Sequence, residues 1–111
     1  MYYDRQGHEI EVYAWAQLYC AEDNRTIEST VLLIDGVEVE VLTKWMGIDP
    51  DMNIPPQIFG SIVRVRDLYF GEIPTATQAE AAAAHAQLVS QVQAGTSTLA
   101  LQVLEAVQRF R

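Results

Sequence analysis

The stretch VLLIDGVEVEVLTKW, residues 31–45, constrains the fold of this chain more than any other. Asp35-Gly36 is a strong two-residue hairpin signal, because a type I′ turn needs positive φ at both central positions. After it, Val37, Val39, Val41, Thr43 and Trp45 alternate with Glu38, Glu40, Leu42 and Lys44. That is the period of a strand with one face in water. Folding back about the turn places Ile34 opposite Val37 and Leu32 opposite Val39. Val31 and Leu33 then share the other face with Glu40 and Glu38, and that face is half apolar.

Around this hairpin the chain divides into a sheet region, residues 1–74, and a helical region, residues 75–111, of one domain. Its 111 residues suit a single domain, which runs roughly 100–200 residues. After a turn at Gln6-Gly7, Ile10, Ala14, Trp15, Leu18 and Tyr19 fall at helical spacings and predict a short helix over 11–20, with a strand as the alternative. The segment IFGSIVRVRDLYFGEI, residues 58–73, reads as one long bent strand or two shorter ones. Gly60 and Gly71 mark bulges or close backbone approaches. Val63 and Val65 are expected on one face, Arg64 and Arg66 on the other. Thr77 and Glu80 form a capping box that opens a helix running to Ala94, and Gly95 suits its left-handed cap. A second helix, 97–111, carries Leu99, Val103, Ala106 and Phe110 on one stripe. The fold class expected is α+β: an antiparallel sheet of about four strands, a short N-terminal helix and two C-terminal helices.

Charge and composition exclude several function classes. The net charge is −8, with 13 of the 15 acids in residues 1–74, a surface that repels a phosphate backbone and argues against double-stranded nucleic acid. No apolar run nears the roughly 20 residues of a membrane span, and the first residues are polar where a signal peptide is basic and then apolar. The expected setting is soluble and cytosolic. Cys20 has no partner for an internal disulfide and reads as a small buried hydrophobe. His8 and His85 lack the paired spacing of a zinc site, and no phosphate-cradling glycine loop is present. No metal, cofactor or catalytic set is expected.

The connector TKWMGIDPDMNIPPQIF, residues 43–59, is unusually apolar and aromatic for a loop. Trp45 belongs by alternation to the apolar face, and Pro55-Pro56 holds the segment extended. The ends therefore read as a strap over the core, and GIDPDMN as the part left free to bind. Arg64 and Arg66 have two readings: cross-strand ion pairs with Glu38 and Glu40, or an Arg fork for a phosphate or carboxylate. The candidate ligand-binding residues are Trp45, Met46, Asp49, Phe59, Arg64 and Arg66. His85, in the run AEAAAAHAQLV, is expected to be a partly buried, hydrogen-bonded histidine. The small residues of that run, with the apolar second helix, suggest a homo-oligomer through the C-terminal helices.

MYYDRQGHEIEVYAWAQL, TKWMGIDPDMNIPPQIF and ATQAEAAAAH occur in that order. Together they resemble a family of small bacteriophage and prophage proteins, over about residues 1–92. Trp45, Gly47, Asp49, Pro55, Pro56, Ile58, Phe59, Thr77, Glu80 and His85 fall on the family pattern. Pro50 departs from a His of that pattern, and Gly60-Ser61 from Glu-Thr; an activity carried by that His and Glu would be missing here. The resemblance implies a phage protein in the bacterial host cytoplasm, not a reaction. Phage proteins of this size and charge often act on the host by binding. The Thoeris anti-defence sponges, which sequester cyclic nucleotide signals, are an analogy of setting and architecture.

The expectation is thus a non-enzymatic, anti-defence type accessory protein. It would sequester a nucleotide-like signal, such as a cyclic dinucleotide or a cyclic ADP-ribose isomer, or block a host protein. A virion structural component is the alternative. A small hydrolase acting through His8 or His85 with Asp49 is the least supported reading.

Overall fold

The computed structural model describes residues Met1–Arg111. Its elements in chain order are β1 (Tyr2–Tyr3), β2 (Glu9–Ile10), α1 (Val12–Cys20), α2 (Glu22–Arg25), β3 (Thr26–Ile34), β4 (Val37–Trp45), β5 (Phe59–Val65), β6 (Leu68–Thr75), α3 (Gln78–Ala94) and α4 (Thr98–Phe110). The fold is α+β. β3 to β6 form a four-stranded antiparallel meander, and β1 and β2 pair as a separate small hairpin.

The hairpin register is the one the alternation dictates: Ile34 faces Val37 and Leu32 faces Val39. Asp35 and Gly36 sit at φ of 50° and 81°, the paired positive values of a type I′ turn. Val37, Val39, Val41, Thr43 and Trp45 are all buried, while Glu38 and Lys44 are exposed. The segment read as one bent strand or two is two strands, β5 and β6, joined by a tight turn at Arg66-Asp67. Arg66 takes φ of 57° there. Arg66 is thus a turn residue and not part of the strand, although it borders the same open-face cleft as Arg64. Gly71, at φ of 63°, sits where β6 carries one residue more than β5. Gly60 pairs regularly with Lys44 and Pro74 and marks no bulge. A second bulge lies at Ile27 of β3, where no glycine announced it.

α3 begins at the Thr77–Glu80 capping box and ends at Gly95 in left-handed conformation. α3 and α4 lie on one face of the sheet. Val37, Val39, Val41, Val63 and Val65 pack there against Leu88, Val92, Val103, Ala106 and Val107. The apolar stripes of both C-terminal helices are thus spent inside the chain. Leu101 is their one large exposed apolar side chain.

At the other end of the same face, Trp45, Ile58, Phe59 and Ala81 form a second, aromatic cluster. α1 buries none of its residues completely and is held by aromatic contact instead. The Trp15 ring stacks on Tyr19 at 4.8 Å, and Tyr2 and Trp45 extend the series on either side. The Trp15 indole N–H donates to the Met46 carbonyl at 3.0 Å. Cys20, expected to be buried, is exposed because α1 lies on the outside of the molecule.

Gly47 is the point of closest approach. A Cβ built there would lie 2.5 Å from Trp15 Nε1 and 2.7 Å from Trp45 Cζ2, at φ of 74°. Both rings are fixed by their own packing, so Gly47→Ala should cost about 2–4 kcal/mol from strain and overpacking. Urea unfolding of the two proteins measures this, with the midpoint falling while the slope stays constant.

Candidate functional site

The connector between β4 and β5 closes on itself. The Met46 and Gly47 amides both donate to the Ile58 carbonyl, at 2.7 and 3.2 Å. The Tyr3 amide donates to the Gly47 carbonyl at 2.8 Å, stitching β1 alongside. Trp45, Ile58 and Phe59 are buried at its base. The ends are a strap, then, and the middle is a surface loop.

Asp49 organises that loop. Its carboxylate accepts from the amides of Asp51 at 3.0 Å, Asn53 at 3.0 Å and Gln57 at 2.9 Å, and from Asn53 Nδ2 at 3.0 Å. The Gln57 amide is the largest cause holding the Asp49 carboxyl below its ordinary value of 3.8, opposed by burial and helped by the Asn53 side chain and the Asn53 and Asp51 amides. A carboxylate spending its lone pairs on its own loop is a scaffold element. With the backbone fixed in this way, Met52 and Ile54 project outward, 79% and 98% exposed. Together with Met1, Tyr3 and Pro56 they line a cleft of about 300 Å³.

The six residues expected to bind ligand do not converge. Trp45 and Phe59 are cross-strand neighbours, buried to 0% and 1% exposure, so neither offers a ring face for stacking. Met46, Asp49 and the edge of Phe59 border a cleft of about 360 Å³ beside Gly60 and Pro74. Arg64 and Arg66 border another, of about 540 Å³, with Glu38, Glu40 and Val31 on the open face of the sheet. Gly60 and Arg64 are four residues apart on β5, about 13 Å along a strand. Arg64 pairs with its cross-strand neighbour Glu40 at 2.7 Å. Arg66 stands over the Phe110 ring, 5.4 Å from its centroid. The two guanidiniums therefore have separate partners and form no fork.

His85 is the buried polar centre of the molecule. Its Nδ1 lies 2.8 Å from Thr43 Oγ1 and its Nε2 2.8 Å from Thr30 Oγ1. Glu28 approaches Nε2 at 3.4 Å, and Ser61 Oγ lies 2.7 Å from Thr43 Oγ1. With the ring hydrogen on Nε2, the side that faces the Glu28 carboxylate, one arrangement serves every group. The chain then runs consistently from Ser61 to Thr43 to His85 Nδ1, each hydroxyl donating onward. Hydroxyl, imidazole and carboxylate line up as they do in hydrolases, but Thr43, Ser61 and His85 are sealed at 0–1% exposure. His85 and Asp49 share no partner. His8, on the turn of the β1–β2 hairpin, faces Asp4 at 3.5 Å. Sequence reasoning anticipated that His85 is hydrogen-bonded; its partners, 42 and 55 residues away, left no local signal.

Comparison with family models, curated proteins and solved structures yields no match for this chain. No group of His, Cys, Asp and Glu is placed to hold a metal ion, and no helix is long and apolar enough to cross a membrane.

Two predictions follow from these contacts. Thr43→Val removes the central hydroxyl and orphans His85 Nδ1 and Ser61 in the core, so unfolding free energy should drop by about 1–3 kcal/mol. A Thr43→Ser variant, which keeps the hydroxyl, should lose less in the same urea titration. For Asp49 the folded pKa lies below the unfolded one. Its stabilisation is complete above the unfolded value of 3.8 and is lost as pH falls through the lower folded value. The melting temperature of Asp49→Asn should therefore fall less between pH 5 and pH 2 than that of the wild type, to be read by calorimetry across that range.

Proposed function

We propose that this chain is a non-enzymatic binding protein of the phage accessory type, acting by blocking a host protein. One observation carries the reading. Met52 and Ile54 stand almost fully exposed on a loop whose backbone is already fixed by Asp49. Apolar side chains held outward on a preordered loop lose little entropy on docking, the property of an interface anchor. Asp49 and Asp51 flank them, so the partner surface that suits this loop is an apolar socket with a basic rim. The phage setting and the host cytoplasm as the place of action rest on the resemblance of the N-terminal segment, the strap and the capping-box helix.

A second reading, capture of a small anionic ligand, draws on the cleft of about 540 Å³ that both Arg64 and Arg66 border. It requires Arg64 to exchange Glu40 for the ligand.

One comparison separates the two. Tagged wild type and Ile54→Asp are expressed in bacterial cells and recovered with whatever they hold. The blocking reading expects a stoichiometric protein retained by the wild type and lost by the variant, with unchanged circular dichroism. Retention by both, or by neither, overturns it. A thermal shift with cyclic dinucleotides or cyclic ADP-ribose isomers that disappears in Arg64→Ala would replace it with the ligand reading.

A further inference from the structure

We infer that the free edge of β3 is a self-association surface, on which a second copy of this chain pairs antiparallel to give one sheet across a twofold axis. β3 and β6 are the two edges of the meander. Edge strands expose a row of unpaired amides and carbonyls, and proteins blunt them with proline, bulges or charge. β6 has all three: Pro74, the Gly71 bulge and Glu72. β3 has such features only in its first half, with Glu28 and the bulge at Ile27. From Ser29 to Ile34 it carries no charge, proline or bulge. Val31 and Leu33 are 57% and 72% exposed there.

The turn decides which groups are free. Ile34 and Val37 close a two-residue hairpin and bond each other, so hydrogen bonding to β4 falls on Ile34, Leu32 and Thr30. Val31 and Leu33 then direct their N–H and C=O groups to the empty side. In a twofold antiparallel pair, residues opposite each other lie on the same face, so the axis runs midway between the two copies of one residue. Centred on Leu32, Val31 of one copy meets Leu33 of the other, and these pairs exchange the free backbone bonds. On the helix side, Leu32 meets its own equivalent and Thr30 meets Ile34. Glu28 falls opposite Gly36, and Asp35 opposite Ser29, so no carboxylates confront each other. Centring on Val31 instead would set Glu28 against Ile34 and Leu33 against Ser29, a poorer match.

The occupant is a second copy because the strand complements itself in backbone, face and charge at one register. This surface is distinct from the C-terminal helices, whose apolar stripes are consumed internally, and from the Met52–Ile54 loop of the blocking reading.

Sedimentation equilibrium on the full chain tests it, with Leu33→Lys on the edge and Leu101→Lys on α4 as the control. The wild type should sediment at twice its 12.4 kDa. Leu33→Lys should lose the dimer with unchanged circular dichroism, and Leu101→Lys should keep it. Amide exchange gives an independent reading. Val31 and Leu33 should gain protection as wild-type concentration rises, while Leu32 and Thr30 stay protected throughout. A wild type that is monomeric up to millimolar concentration, or a dimer lost in Leu101→Lys but kept in Leu33→Lys, overturns the inference.

Discussion

The contact of His85 with Thr43 and Thr30 is what the layout of this molecule depends on. The first half of α3 is nearly all alanine, and alanines let a helix lie close to a sheet without specifying where. A shift of α3 by one turn would set Ala81 or Leu88 over Thr43. Small apolar contacts would survive that shift, but the Thr43 hydroxyl would lose its nitrogen partner, and the His85 ring would lose both Thr43 and Thr30. Leaving such groups unsatisfied costs about 1–3 kcal/mol each, a large share of a small domain's stability. The histidine sets position and the alanines set distance.

The strap shows a similar division. Trp45, Ile58 and Phe59 anchor its ends in the core, and Gly47 lets the backbone pass between two indole rings. Beyond the bridge of Ile48 to Tyr2 no helix or strand holds the chain between those anchors, and one carboxylate takes that place. By gathering the amides of Asp51, Asn53 and Gln57, Asp49 gives the loop a shape that does not depend on a partner. The side chains then free to meet another molecule are Met52 and Ile54, not the aromatic residues that first draw the eye.

The features legible in the sequence were those governed by neighbours along the chain. Asp35-Gly36 and the alternation after it determined a register, and Thr77, Glu80 and Gly95 marked both ends of α3 by local hydrogen-bond geometry. What could not be read depended on contacts across the fold or on an atypical turn. Arg66 and Asp67 carry no glycine or proline to announce the β5–β6 turn, so Arg66 was assigned to a strand face beside Arg64. Nothing near His85 names Thr43, Thr30 or Ser61 as its partners. Asp49-Pro50 is an ordinary turn signal, and an aspartate there commonly serves its own backbone, but Asp49 was assigned to ligand binding instead. The same separation broke up the expected site: residues that seem adjacent by type were claimed by the core, an ion pair and an aromatic ring.

Thr43, Ser61 and His85 lie at one level across β4, β5 and α3, with aliphatic packing on one side of them and aromatic packing on the other. The interior is therefore two dry compartments with a polar seam between them. Dispersion contacts do not run continuously across such a seam, so the compartments need not melt as a unit. The aliphatic one is closed by α4 and the tight hairpins. The aromatic one is closed by the N-terminal segment and the strap, elements with far fewer buried residues. Transient opening is thereby directed to the end of the molecule that carries the exposed loop, while the open sheet edge is built on the end that stays shut.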